Sequence, residues 1–98
     1  MSKPSGFNEV KKAVIVALES GDFQHESRLG IEVKNKLQTG EVSPSEAVRI
    51  IKRCNGANYS TSPHWLDSSI DVHIIKSSTW YVKFYFLDPM TVFISLHQ

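Results

Sequence analysis

Cysteine is nearly absent: Cys54 stands alone among 98 residues. No disulfide can form within the chain, so it does not read as an exported disulfide scaffold, and a reducing compartment is expected. Net charge is nearly absent too, with 11 Lys+Arg against 10 Asp+Glu. A total of +1 makes no global case for nucleic acid, membrane or acidic ligand, and any such partner has to be argued from local clusters. Long apolar runs are missing. Ala13–Leu18 falls far short of the roughly 20 residues a bilayer span needs, and Met-Ser-Lys-Pro-Ser-Gly does not lead into a signal-type apolar core. No membrane partner and a cytoplasmic location are expected. There is no GxxxxGK, GxGxxG or GxSxG pattern, and the four His and one Cys never approach a zinc-ligand spacing. Neither a metal nor a cofactor is expected.

What is present suits one soluble domain over 1–98, with 1–6 a disordered polar lead-in. Five Phe, three Tyr and two Trp supply enough aromatic mass for a single core without staples. Seven of the ten acids (Glu9, Glu19, Asp22, Glu26, Glu32, Glu41, Glu46) precede Arg49, while the remainder carries five bases and three acids. The second half is therefore the expected anion-binding half.

Helical spacing of Phe7, Val10, Ala13, Val14, Ala17 and Leu18, stopped by Gly21, predicts a helix over 7–20. Leu29, Val33 and Leu37, four apart and followed by Gly40, predict a second over 24–39, weakened at Gly30. Ser43-Pro44-Ser45-Glu46 is a capping box with proline at the first helical position. The third helix then buries Ala47, Ile50, Ile51 and Cys54, and Gly56 is placed to end it. Residues 55–69, rich in Ser, Thr, Asn and Gly, read as a loop with a short strand around Tyr59. Three runs of period two follow, over 69–76, 79–87 and 91–97, joined by links short enough for hairpins. The expected class is α+β: three N-terminal helices packed on a three- to four-stranded antiparallel sheet.

Strand alternation assigns Ile70, Val72, Ile74, Trp80, Val82, Phe84, Phe86, Val92, Ile94 and Leu96 to the face under the helices. It leaves Asp71, His73, Ile75, Tyr81, Lys83, Tyr85, Phe93, Ser95 and His97 on the other. Two His, two Tyr, a Lys and an Asp on neighbouring strands suit acid/base chemistry or anion binding, because histidine exchanges protons near neutral pH and lysine neutralises phosphate charge. The same composition also follows from the preference of strands for aromatic residues. Arg49, Lys52 and Arg53 form a basic stripe on the third helix, suited to phosphates or simply to water. His25 and Arg28 read as surface residues near the start of the second helix. His64-Trp65 either stacks a base or seals the core edge. Cys54, on an apolar stripe, reads as a buried inert thiol.

The segment Asp71-Val72-His73, Trp80-Tyr81-Val82-Lys83 and Val92-Phe93-Ile94-Ser95-Leu96-His97 resembles the MqsR toxins and, more loosely, the RelE-like small ribonuclease toxins. Val10-Lys11-Lys12, Ser20-Gly21 and Asn58-Tyr59-Ser60 extend the likeness over most of the chain. The resemblance implies a RelE-like fold, a toxin–antitoxin pair, and a hydrolase that cuts mRNA without metal, on or off the ribosome. By position, Tyr81 matches the family's active-site tyrosine. His97 and Ser60 stand where the family has lysines, and these departures bear on whether the site is active.

Together these readings predict an RNA-binding endoribonuclease acting by 2′-OH attack. Its catalytic set is His73, Tyr81, Lys83, His97 and Asp71, and its RNA-binding set Arg49, Lys52, Arg53, His64 and Tyr85. The competing class is a non-catalytic interaction module, either immunity- or antitoxin-like or a phage-derived adaptor, using the same polar face to dock a protein. RNA target, cleavage sequence, antitoxin and oligomeric state are not encoded in any motif.

Overall fold

The first helix, α1 (Phe7–Ser20), runs over the expected residues, with Val10, Val14, Ala17 and Leu18 buried along one stripe. The computed structural model describes residues 6–25, 35–77, 79–87 and 90–97. Gly6, expected in the lead-in, is the N-cap of α1; residues 1–5 lie outside the described residues. Gly21 ends α1 at φ 85°, a left-handed geometry that glycine adopts without a Cβ clash.

Next comes β1 (Phe23–His25), where the apolar spacing predicted a helix. It pairs in parallel with the last strand, Phe23 opposite Thr91 and His25 opposite Phe93. Leu29 and Val33 fall outside the described residues, and among the described residues of the expected span Lys36–Thr39 forms α2, capped by the Asn35 side chain. The capping box does start α3 (Pro44–Arg53): Ser43 Oγ accepts from the Glu46 N–H at 3.2 Å and lies 3.5 Å from the Glu46 carboxylate. Cys54, not Gly56, terminates it; Gly56–Asn58 forms a 3-10 turn leading into the sheet.

The sheet has five strands in the order β1-β5-β4-β3-β2, comprising β2 (Tyr59–Pro63), β3 (Asp71–Ser77), β4 (Trp80–Leu87) and β5 (Met90–His97) besides β1. The class is α+β, but the expected three- to four-stranded antiparallel sheet is corrected to a five-stranded mixed one. The parallel edge strand β1 makes the difference, and it was hidden because its partner lies more than sixty residues away.

The main core lies between α1, α3 and the sheet, where Val10, Val14, Ile51, Ile75, Val82, Phe84, Phe93 and Leu96 are fully buried. A smaller cluster of Val72, Tyr85, Val92 and Ile94, with Ile70 against it, lies on the opposite face. Among the described residues no helix is long and apolar enough to cross a membrane.

These two clusters correct the face assignment. Ser77 pairs with Trp80 and Val72 with Tyr85, so even-numbered residues of β3 share a face with odd-numbered residues of β4. Val72 and Ile74 are therefore away from the helices, and His73 and Ile75 beneath them. A one-residue change of register turns every side chain of a strand over. In β5, Phe84 pairs with Phe93 but Lys83 pairs with Ser95, leaving Ile94 as an extra residue, a β-bulge. Phe93 and Leu96, of opposite parity, both reach the main core because of it.

Candidate functional site

The bulge at Ile94 builds the site. Without it the pairing of Phe84 with Phe93 would continue inward in step, and His97 would fall opposite Trp80 on the helix side. With it, His97 lies opposite Tyr81. The two rings stack with centroids 5.2 Å apart at 25°. Bulges commonly re-aim side chains in this way.

Two lysines join this pair on the face turned away from the helices. Lys76 is opposite Tyr81 across β3–β4, and its Nζ lies 5.8 Å from the Tyr81 ring centroid, a cation–π contact. Lys83 pairs with Ser95 in the next row and is half-buried. Ser60, opposite Ile74, occupies the same face on β2. Among the described strand residues that point to this face there is no carboxylate, so its charged side chains are all cationic.

The expected catalytic set is divided between the two faces. Tyr81, Lys83 and His97 come together, while His73 does not join them. His73 is 5% exposed beneath the helices, stacked on Phe84 and tilted against Phe86. The Tyr59 hydroxyl sits 2.8 Å from its Nδ1. Burial lowers the His73 pKa, with the Asp71 charge opposing that shift, and burial followed by Asp71 raises that of Tyr59. Both directions describe a neutral imidazole hydrogen-bonded to a protonated phenol, with the donor set by the imidazole tautomer. Asp71, exposed at the start of β3, acts on His73 and lies on the face opposite His97.

The expected RNA-binding set is also redistributed. Arg49, Lys52 and Arg53 are exposed on α3, on the helix side of the sheet, and share no surface with Tyr81 and His97. His64 is buried, with Nδ1 accepting from the Leu66 N–H at 3.0 Å. It stacks on Trp65 at 3.9 Å and meets Tyr85 edge-on at 4.8 Å. His64 and Tyr85 are packing residues, the reading in which His64-Trp65 seals a core edge. Cys54 is buried, with its Sγ against the Ile50 carbonyl.

His25 belongs to β1, not to a helix. It is half-buried, its pKa is lowered by burial, and its Nδ1 lies 3.1 Å from Nδ2 of the buried Asn35. Arg28 lies outside the described residues. No group of three or more His, Cys, Asp or Glu among the described residues could hold a metal ion.

Lys76 is the site residue that the sequence reading missed, and a signal for it exists. A two-residue hairpin link pairs even with odd positions, so the two-residue gap expected between the runs 69–76 and 79–87 already places Lys76 on the face of Tyr81. No protein-family model, curated protein or solved structure matches the chain.

Proposed function

We propose that this protein is a metal-independent endoribonuclease of the toxin type, acting on RNA in the cytoplasm and held in check by an antitoxin protein. The observation that carries the reading is the Tyr81–His97 stack flanked by Lys76 and Lys83 on a sheet face whose described strand residues include no carboxylate. It meets the needs of 2′-OH attack with one histidine in place of the two first expected. His97 takes the proton from the ribose 2′-OH as the 2′-oxygen bonds to phosphorus. Lys76 and Lys83 neutralise the charge gathering on the non-bridging oxygens. The P–O5′ bond then breaks, and the leaving oxygen takes a proton from the Tyr81 hydroxyl or from water. The products are a 2′,3′-cyclic phosphate and a 5′-OH. The resemblance to MqsR-type toxins supports Tyr81, which matches the family's active-site tyrosine, whereas His97 stands where the family has a lysine.

The test is controlled expression in bacteria with mapping of RNA 5′-OH ends, wild type beside His97→Ala. New 5′-OH ends that fall by about 10²- to 10⁴-fold in the variant are expected for loss of a general base. Absence of such ends from the wild type would overturn the reading. A second reading, a protein-interaction module, draws on a different observation: Leu66, 80% exposed, and Trp65 project from the loop between β2 and β3. It requires expression to be harmless and a partner to be lost on Leu66→Ser.

A further inference from the structure

We propose that the groove between α3 and the start of β4 binds a nucleotide flanking the scissile phosphate, so that a single strand of RNA crosses the end of the sheet from one face to the other. This rests on the ribonuclease reading and names its substrate as single-stranded. Trp80 and Tyr81 are consecutive on β4, and alternation sends them to opposite faces. Tyr81 stacks on His97, while Trp80 lines a groove of about 270 Å³ with Glu46, Arg49, Ile50 and Arg53. The two aromatic rings lie one on either side of a single strand at its end, about a sheet's thickness apart.

The groove has the chemistry of a nucleotide subsite. Arg49 and Arg53 are four apart on α3, so their side chains project from the same helix face. Both are exposed, and neither guanidinium is ion-paired or hydrogen-bonded within the described residues. Two unpaired guanidiniums accept a phosphate, and the half-buried Trp80 ring offers a stacking face for its base. Glu46 also lines the groove, one turn before Arg49, with its carboxylate 3.5 Å from Ser43 Oγ in the capping box, so the two arginines outnumber the one carboxylate there. The negative end of α3 is also covered: Lys11 Nζ donates to the Lys52 and Cys54 carbonyls, each at 2.8 Å. An anion beside Arg53 therefore does not face bare helix carbonyls. An acidic peptide would satisfy the arginines but leave the Trp80 face unused, which favours RNA.

The test uses the full chain carrying His97→Ala, which prevents cleavage, and Trp65→Phe, which leaves Trp80 as the sole tryptophan reporter. It is titrated with a mixed-sequence oligoribonucleotide of about eight residues, at several salt concentrations. Saturable quenching of Trp80 is expected, with affinity, read by anisotropy of a dye-labelled copy of the oligonucleotide, falling about tenfold on Trp80→Leu. The slope of log K against log salt should shrink by about one for each of Arg49→Gln and Arg53→Gln. An unquenched Trp80, or slopes unchanged in the double Arg variant, overturns the proposal. So does displacement of the oligonucleotide by poly-glutamate at equal charge concentration, which would make the groove an acidic-protein surface. Wild-type cleavage in cells with no Trp80 response sinks the groove alone. Trp80 quenching with no cleavage sinks the ribonuclease reading and leaves an RNA-binding groove.

Discussion

His73 and His97 sit on the same sheet, one strand apart in the order β3-β4-β5, yet they do opposite things. His73 is buried, stacked on Phe84, bonded to Tyr59 and held neutral. His97 is half-exposed and stacked on Tyr81, with Lys76 and Lys83 on the same face. The helix-covered face uses its polar groups in pairs, so that burying them costs little. The far face leaves Lys76 exposed and Lys83 half-buried. Residue type alone does not separate the buried histidine from the one proposed as catalytic; the face does, and the face is decided by hairpin parity and by one bulge.

The largest effect expected from attacking this contrast comes from the covered face. Phe84→Ala removes a fully buried ring in contact with His73, Phe86 and Phe93, and should cost about 3–5 kcal/mol in urea unfolding. Tyr59→Phe deletes the hydroxyl at His73 Nδ1 and leaves a buried ring nitrogen without this hydrogen-bond partner, so a loss of about 1–3 kcal/mol is expected. Neither change should alter RNA affinity of the folded protein. An affinity loss at full folding would place His73 in the site after all.

The neutral state of His73 gives the next test. A histidine whose folded pKa lies below its unfolded value binds fewer protons folded than unfolded, so stability rises with pH between the two values. Stability should therefore be full above about pH 6.5, the unfolded value, and be lost as pH falls below it. The loss is at most about 1.4 kcal/mol per pH unit for each such group. His25, lowered by the same cause, acts in the same direction. In urea titrations across this range, His73→Gln should flatten the dependence, while His97→Gln should leave the part due to His73 in place. An equal slope in wild type and His73→Gln would show that His73 is not the buried neutral group described.

How much of this was readable in advance follows from the range of the interactions. The capping box at Ser43–Glu46 and the glycine stop at Gly21 are local chemistry, and both stand where the sequence put them. β1 depends on Thr91–Phe93 far along the chain, so no local window shows it. In β3, Val72-His73-Ile74-Ile75 is apolar on both sides of the strand, and the pattern cannot choose a face. The two-residue hairpin links could have chosen it, by pairing odd with even. The bulge at Ile94 has no signature in Val92-Phe93-Ile94-Ser95, because no glycine or proline marks it. Tyr81 and His97 share a face, where simple alternation also put them, because the bulge at Ile94 offsets the parity change of the β4–β5 hairpin. Lys76 was lost to the separate parity change between β3 and β4.

The smallest expected effect on stability carries the most information about function. Lys76→Gln and Lys83→Gln alter cations on the face away from the main core, and each should change stability by no more than about 0.5 kcal/mol. In the proposed arrangement both lysines neutralise the one scissile phosphate, so the double variant should nevertheless reduce the slope of log K for RNA against log salt by about one, and each single variant by less. Lysines that met two separate phosphates would instead lower the slope by about one in each single variant and by about two in the double. A slope unchanged in the double variant would leave the Tyr81–His97 stack without its electrostatic partners. The covered and uncovered faces would then differ in packing only, and the case for chemistry at His97 would rest on its ring alone.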